Sequence, residues 1–454
     1  MKAGNCAEIL MFLGMLAPMA SAQQTQPCTI QATTFDGFSA QEMSNRWVRL
    51  DFVPQLGGRL MQVTFNRHAY LFVNPKYAGK YISPEQASGR WINYGGDKIW
   101  PLPEGNDDEQ HWTGASTPLD DGAYAFKVVA QGKRCTVRLD GPPDPPTGLQ
   151  YSREISIGTD SPEIDFHAIT KNSTGHTINW SVQSVSQYDL SDANAPDGWN
   201  HDFWTFTPVD PRSPYLLGYH VRDGLANDPS YHVKDGLFRL HWRYLEGEVW
   251  VDSDPQWLAV VNGVNQYTMV EKGTRFENGN YPGRASVIFY KNGPTVQLNA
   301  QQMPFVTPLD RTETPFYMEA EMNSPMAVLE PGQTYTMDTR WFPCRMGPEL
   351  KDVTDAGVIG KPLTAMRNGS ELELNGEFGV FFPGSLVAYL YNRGGAEIGR
   401  VTLQTASPED LIDLHRSVPA PKEVIRVSLH LVDSHNVDRG ALGETFAIDS
   451  HGAS

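Results

Sequence analysis

This chain has little of what usually announces a function. It carries only four cysteines in 454 residues, and they show no metal-ligand spacing. The histidines at 201, 220, 232 and 241 are scattered, with no helical i, i+4 pair and no zinc signature, so no catalytic metal is expected. No G-x-S-x-G elbow is present, which leaves a triad hydrolase without support. Basic residues are scarce: 36 Lys and Arg stand against 53 Asp and Glu, a formal net charge of −17. That balance disfavours nucleic acid and anionic lipid, and makes a strongly anionic polysaccharide a less natural ligand. Helical periodicity is missing too, and the short stretch 409–416 is the best helical candidate. The most apolar run after the N-terminus, 378–391, is broken by Pro383 and Gly384, so no membrane insertion is expected. There is no internal repeat and no low-complexity tract.

Residues 1–22 read as a secretory signal. Lys2 precedes an apolar stretch at 9–17, and Ala20-Ser21-Ala22 form a small-residue cleavage site before Gln23. The expectation is a soluble exported protein, periplasmic or secreted. Three cysteines remain after that cut: Cys28, Cys135 and Cys344. A Cys28–Cys135 disulfide is the expected pairing, since both lie in early strand-like segments of an exported chain; three buried thiols are the alternative.

What is present is strand after strand. Val48–Val53, 60–65, 124–129, 135–139, 163–169, 238–244, 257–261 and 285–290 are short and rich in β-branched and aromatic residues. With 41 Gly and 33 Pro for turns, the chain reads as all-β. A boundary is expected near 346–352. It separates a large part, 23–346, with too many strands for a seven-stranded sandwich and so calling for two extended sheets packed face to face, from a small immunoglobulin-like β-sandwich at 347–454.

The most informative segment is 315–342, PFYMEAEMNSPMAVLEPGQTYTMDTRWF. Phe316, Met318, Ala320 and Met322 fall on one face of a strand, Tyr317, Glu319, Glu321 and Asn323 on the other, and a turn at Glu330-Pro331-Gly332-Gln333 follows. Glu319 and Glu321 then point the same way about 6–7 Å apart, a pair able to grip sugar hydroxyls or handle protons. A second segment is 91–112, WINYGGDKIWPLPEGNDDEQHW. Gly95-Gly96 permits a sharp bend or a close ligand approach, amid Asn93, Tyr94, Asp97, Lys98, Trp100, Glu104, His111 and Trp112. Aromatic rings mixed with carboxylates, amides and a lysine suit a carbohydrate; the same composition suits a structured loop with core tryptophans and a local Asp97–Lys98 ion pair. The acidic groups at 106–109 and Asp120-Asp121 offer oxygen ligands for calcium without matching an EF-hand, or form a solvated turn. In 178–190 the alternation of Ile178, Trp180 and Val182 slips at Ser184-Val185, which suggests a bulge, with Gln183, Gln187 and Tyr188 within reach of a cleft or on a polar sheet face.

These segments, taken in order, resemble a known family. PQLGGR at 54–59 is similar to the P-x-L-G-G start of aldose and hexose-6-phosphate epimerases. NYGGDKIWP at 93–101 resembles their G-G-x-P-x-x-F-P segment, and DSDPQW at 252–257 and Tyr281-Pro282 resemble later strands. YMEAE at 317–321 stands where they carry L-E-P-Q, and VLEPG at 328–332 is similar to their L-x-P-G-E turn. WINYGGDKIWP together with SPMAVLEPGQTY is similar to a bacterial domain-of-unknown-function family of the same galactose-mutarotase-like fold. The resemblance covers roughly 45–345 and implies a large antiparallel β-supersandwich. It implies further that Glu319 is the base taking the proton of the anomeric hydroxyl, with a histidine as acid. The strand at 178–190 has Ser186-Gln187-Tyr188-Asp189-Leu190 where that histidine would stand, so the acid falls to His111 or Tyr94.

The expected function is therefore an exported carbohydrate-active protein acting on a sugar or oligosaccharide, mutarotase- or epimerase-like, needing no cofactor. Asn93, Asp97, Lys98, Trp100, Trp112, Gln187 and Glu321 are the expected substrate contacts. A non-catalytic sugar-binding protein, a polysaccharide lyase using Tyr94, Lys98 and Asn93, and a surface scaffold are the alternatives. The sequence is silent on the sugar and on oligomeric state.

Overall fold

The computed structural model describes residues 27–105, 111–114, 116–298, 301, 304–306 and 315–449. The expected leader at 1–22 and the calcium alternative at 106–109 lie outside them. Among the described residues, four single-turn helices interrupt a fold otherwise built of strands and turns. A 12-stranded sheet runs, in spatial order, through Thr29–Phe35, Phe38–Ser44, Val48–Val53, Arg59–Phe65, Asp97–Leu102, Ile178–Asp189, Tyr317–Asn323, Val287–Lys291, Gly247–Val251 and His220–Asp223, with two short strands pairing beside this path. A 10-stranded sheet stacks on it, and Leu149–Gly158, Ile164–Asn172, Thr334–Arg345, Tyr267–Lys272 and Trp257–Asn262 lie near its middle. Every ladder in both sheets is antiparallel, as the short polar turns demand.

The main core lies between these sheets. Leu50, Phe52, Val63 and Met318 from one meet Val137, Ile155, Val260 and Trp341 from the other, all essentially without exposure. A second core covers the far face of the 10-stranded sheet, where Phe206, Ala259, Val270 and Phe342 meet Val358, Leu374, Phe381 and Leu429. Trp257–Asn262 is thus buried on both faces, which is why its sequence, WLAVVN, runs apolar without alternation. The chain leaves the sandwich at Arg345 and starts its next strand at Asp352. From there eight strands form the third sheet, a sandwich-like module that supplies the rest of the second core. The outer face of the 12-stranded sheet is covered at one end by a small core in which Phe38, Ala40, Val53 and Met61 meet Ala87 and Ile92, and the candidate site is built on the rest of that face.

Two expectations from the pattern do not hold. Residues 412–419 form a strand, not a helix, because Ile412–Pro419 pairs along its whole length with Glu371–Val380. Ile178–Asp189 carries no bulge: it pairs without a register shift both with Asp97–Leu102 and with Tyr317–Asn323. Its inward face continues through Ser184 and Ser186 to Tyr188, so the alternation is intact and only the polarity changes. Cys28 and Cys135 are joined in a disulfide, and Cys344 is free and buried.

Candidate functional site

Strand register places the site residues on a grid. Across the ladders, Gln187 faces Glu319, Glu319 faces Tyr290, Tyr290 faces Glu248, and Glu248 faces Asp223. A second row, two residues along, runs Lys98, Val185, Glu321, Ile288, Trp250 and His220. Neighbours within a row stand about 4.8 Å apart and the rows about 6–7 Å apart. The other parity of the same strands, Met318, Ala320, Met322, Phe289 and Val249, enters the main core. Burial of that apolar face obliges every residue of the grid to point outward.

Above the grid a cavity of about 1100 Å³ opens to solvent. One wall is built by residues within 100–105 and 111–114. It is held folded by Trp112 N donating to Pro103 O at 2.9 Å and by Gly105 N donating to Trp112 O at 3.0 Å. Trp100 and Trp112 meet edge to face with ring centres 4.7 Å apart, and Trp91 leans on Trp100 at 6.3 Å. The opposite wall is Trp250, seated on Gly283, where a Cβ atom would fall 1.9 Å from the indole; only glycine admits the ring. Aromatic surface on two sides of a solvent-open cleft with carboxylates on its floor is the arrangement that covers the apolar face of a sugar while gripping its hydroxyls.

The carboxylates are held and crowded. Gln187 Nε2 donates to Glu319 Oε1, Gln183 Nε2 donates to Glu321 Oε2, and the Trp250 indole donates to Glu248. Burial first, and then the charges of Glu319, Glu248 and Glu104, push the Glu321 carboxyl well above the usual carboxylate range. Glu104 is pushed up to about 8 by desolvation first and then by the charges of Glu248 and Glu319, against the lowering charge of Lys98. Glu248 is raised, again chiefly by burial. Among the described residues, no group of three or more His, Cys, Asp or Glu is placed to hold a metal ion.

Of the residues expected from sequence, Glu319, Glu321, Trp100, Trp112 and His111 line this cavity together. Gln187 is buried beside Glu319 as its hydrogen-bond partner. Lys98 lies beneath the aromatic wall, its ammonium 3.3 Å from the Trp100 ring centre and 5.0 Å from that of Trp91, and only 2% exposed; burial lowers its pKa.

Three residues belong elsewhere. Asp97 alternates with Lys98 and so points inward, where it is fully buried and paired with Arg153 of the opposite sheet. A substrate contact and the Asp97–Lys98 ion pair are both excluded by that alternation. Tyr94 sits in a separate small core with Leu56, Met61 and Ile92, its hydroxyl bound to the backbone of Ile82 and its pKa pushed up to about 12 by burial. Asn93 folds back to accept from Gly95 N at 3.1 Å. Gly95 itself serves chain packing, not a ligand: at φ 90° its missing Cβ would lie 2.2 Å from Phe72 O. Asp120 and Asp121 are likewise interior, both paired with Arg59, so neither a calcium turn nor a solvated one forms there.

Sequence reasoning missed Glu248, Trp250 and Tyr290. Their strands, GEVWV and VIFYK, do alternate, with Val249, Val251, Val287 and Phe289 inward. That pattern was the available signal, but nothing in two short strands marks which outward face carries the cavity.

No family model matches the chain, and no curated protein matches it. Among solved structures it is similar to a galactose mutarotase-like protein from Clostridium acetobutylicum, with TM-score 0.44 and 8% identity, covering 70% of this chain and 99% of that one. It is also similar to a galactose mutarotase related enzyme from Lactobacillus acidophilus, with TM-score 0.41 and 10% identity, covering 69% and 100%. A TPR-domain containing protein from Parabacteroides distasonis matches with TM-score 0.43 and 13% identity over 70% of this chain; the chain spans only 53% of that protein's length.

Proposed function

We propose that the cavity binds a sugar or glycan and that Glu319 is the general base of a mutarotase- or epimerase-like proton transfer. The supporting observation is the shared row in which Gln187 orients Glu319 on the floor of an aromatic-walled cleft. In this reading Glu319 takes the proton of an anomeric hydroxyl while a second group protonates the ring oxygen. The ring opens to the aldehyde, and reclosure on the other face reverses both transfers. With Tyr94 held in a separate core, the donor is one of two groups lining the same cleft, His111 or the raised carboxyl of Glu104. Export to the periplasm or beyond is part of the proposal; the leader-like start and the Cys28–Cys135 disulfide, a bond that persists in oxidising compartments, support it.

The test is a thermal-shift screen against mono- and oligosaccharides, followed by NMR of anomer exchange on every sugar that raises the melting temperature. Glu319→Gln is expected to abolish exchange and keep most of the affinity. Binding without exchange in the wild type would make the protein a non-catalytic sugar binder, and no binding at all would remove the carbohydrate reading.

A further inference from the structure

The charge of the cavity narrows the class of sugar, on the reading that the cavity binds one. Five carboxyl side chains line it: Glu104, Asp223, Glu248, Glu319 and Glu321. Against them the described lining offers a single arginine, Arg222, at the exposed rim beside Asp223, 3.9 Å away. Lys98 is roofed by indoles and does not line the space. The grid sets Glu319 and Glu248 on either side of Tyr290, so their backbones stand roughly 10 Å apart with an aromatic ring between. Like charges at such spacing repel, and the buried Lys98 beneath the Trp100 ring offsets only part of the repulsion, since burial and the charges of its neighbours still hold the Glu104 and Glu321 carboxyls above the usual range.

A second, independent feature points the same way. Gln183 is 2% exposed and lines the cavity; its Nε2 is committed to Glu321, while its Oε1 has no hydrogen-bond partner. Buried acceptors without a donor are uncommon, and a ligand N–H group would complete this one. The walls add the indoles of Trp91, Trp100 and Trp250, a ring type that attracts a cation through its quadrupole, as the Lys98 ammonium against Trp100 already shows. Acceptors on the floor, an unmatched amide oxygen and indole walls together describe a receptor for an ammonium group carried on a ring of hydroxyls.

We propose that the cavity takes an amino sugar with a free, protonated amine, with Glu248 and Glu319 flanking the ammonium and Gln183 Oε1 accepting from the ligand. It disfavours uronates and sugar phosphates, whose charge adds to the repulsion already present.

The experiment is calorimetric titration of the full chain with four tetramers: glucosamine, N-acetylglucosamine, glucose and a uronate. The glucosamine tetramer is expected to bind at least tenfold more tightly than the glucose tetramer. That advantage should shrink as salt rises from 20 to 300 mM, and the uronate should bind most weakly. Glu248→Gln and, separately, Gln183→Leu should each reduce the preference for the amine; melting temperatures identify any variant that fails to fold, and the ligand comparison in the wild type decides independently of both. Equal binding of the glucosamine and glucose tetramers, or tighter binding of the acetylated or uronate tetramer, overturns the amine assignment and leaves the carbohydrate site standing. Absence of binding by all four, with no response in the wider sugar screen, overturns both.

Discussion

Gln187 and Glu319 stand opposite each other on adjacent antiparallel strands, and the amide of the first donates to the carboxylate of the second. Gln187 is fully buried and Glu319 is 7% exposed, so the bond fixes which carboxylate oxygen faces the cavity. If Glu319 is a base, Gln187 is a positioning residue for it. Gln187→Leu keeps the volume and removes the donor. It is expected to lower kcat roughly tenfold, the worth of one hydrogen bond to a charged group, with little change in KM. Steady-state kinetics of anomer exchange would show the split; a change confined to KM would mean that Gln187 shapes binding and does not orient the base.

Asp97 and Arg153 join the two large sheets. Arg153 reaches Asp97 with one nitrogen on the carboxylate and another on its backbone oxygen at 3.1 Å, and Ser186 donates to the second carboxylate oxygen at 3.2 Å. Desolvation raises the Asp97 pKa even so, which shows how much burial costs this pair. Removing one partner strands the other charge in the core. Asp97→Asn and Arg153→Met are each expected to cost about 3–5 kcal/mol in denaturant unfolding, and the double variant less than the sum. Any variant that folds should bind ligand like the wild type. A selective loss of sugar affinity with unchanged stability would return Asp97 to the binding site.

How far the site could be read from sequence depended on whether a strand has two chemically different faces. Residues 317–323 do: Met318, Ala320 and Met322 against Tyr317, Glu319 and Glu321, and the structure keeps that division. Asp97–Leu102 does not, since all six residues are buried, and without a contrast between faces Asp97 and Lys98 look like neighbours in one site. The partner that settles Asp97 comes from another sheet, 56 residues away. In Ile178–Asp189 the contrast exists but is disguised, because Ser184 and Ser186 turn inward, Ser186 to Asp97, where an apolar residue is expected. The strand at 412–419 was hidden for a different reason: its conformation is imposed by the strand it pairs with, not by its own propensity.

The Cys28–Cys135 disulfide closes a loop of 107 residues. It fastens the start of the chain, where Cys28 also donates from its backbone to Gly132 O at 2.9 Å, to the edge of the 10-stranded sheet. A cross-link over a loop of that length restricts the unfolded chain strongly, and its loss is expected to cost roughly 2–5 kcal/mol. Cys28→Ser measured by thermal or denaturant melting, beside wild type with and without reductant, would show it. The variant and the reduced wild type should melt together. Cys344, fully buried with its thiol pK raised by desolvation, should stay unreactive to alkylation until the protein unfolds. Rapid native labelling of Cys344 would contradict the burial described here.

Glu271 lies in the main core with one carboxyl oxygen accepting from the Tyr188 hydroxyl at 2.5 Å and the other without a partner. Burial, reinforced by the nearby charge of Asp97, pushes its pKa up to about 8. The folded protein therefore holds a proton there that the unfolded chain releases near the ordinary value of 4.5. Between those two values the native state binds more protons, so stability is highest below pH 4.5 for this group and declines as pH rises through about 8. The slope approaches 1.4 kcal/mol per pH unit, a few kcal/mol across the interval. Glu271→Gln keeps the shape, stays neutral at every pH and should remove that share of the decline. The comparison to make is the difference in unfolding free energy between variant and wild type from pH 5 to 9. It should move steadily in favour of the variant and level off above pH 8; a difference independent of pH would mean that Glu271 is ionised in the folded protein and that the core around Tyr188 is open to water.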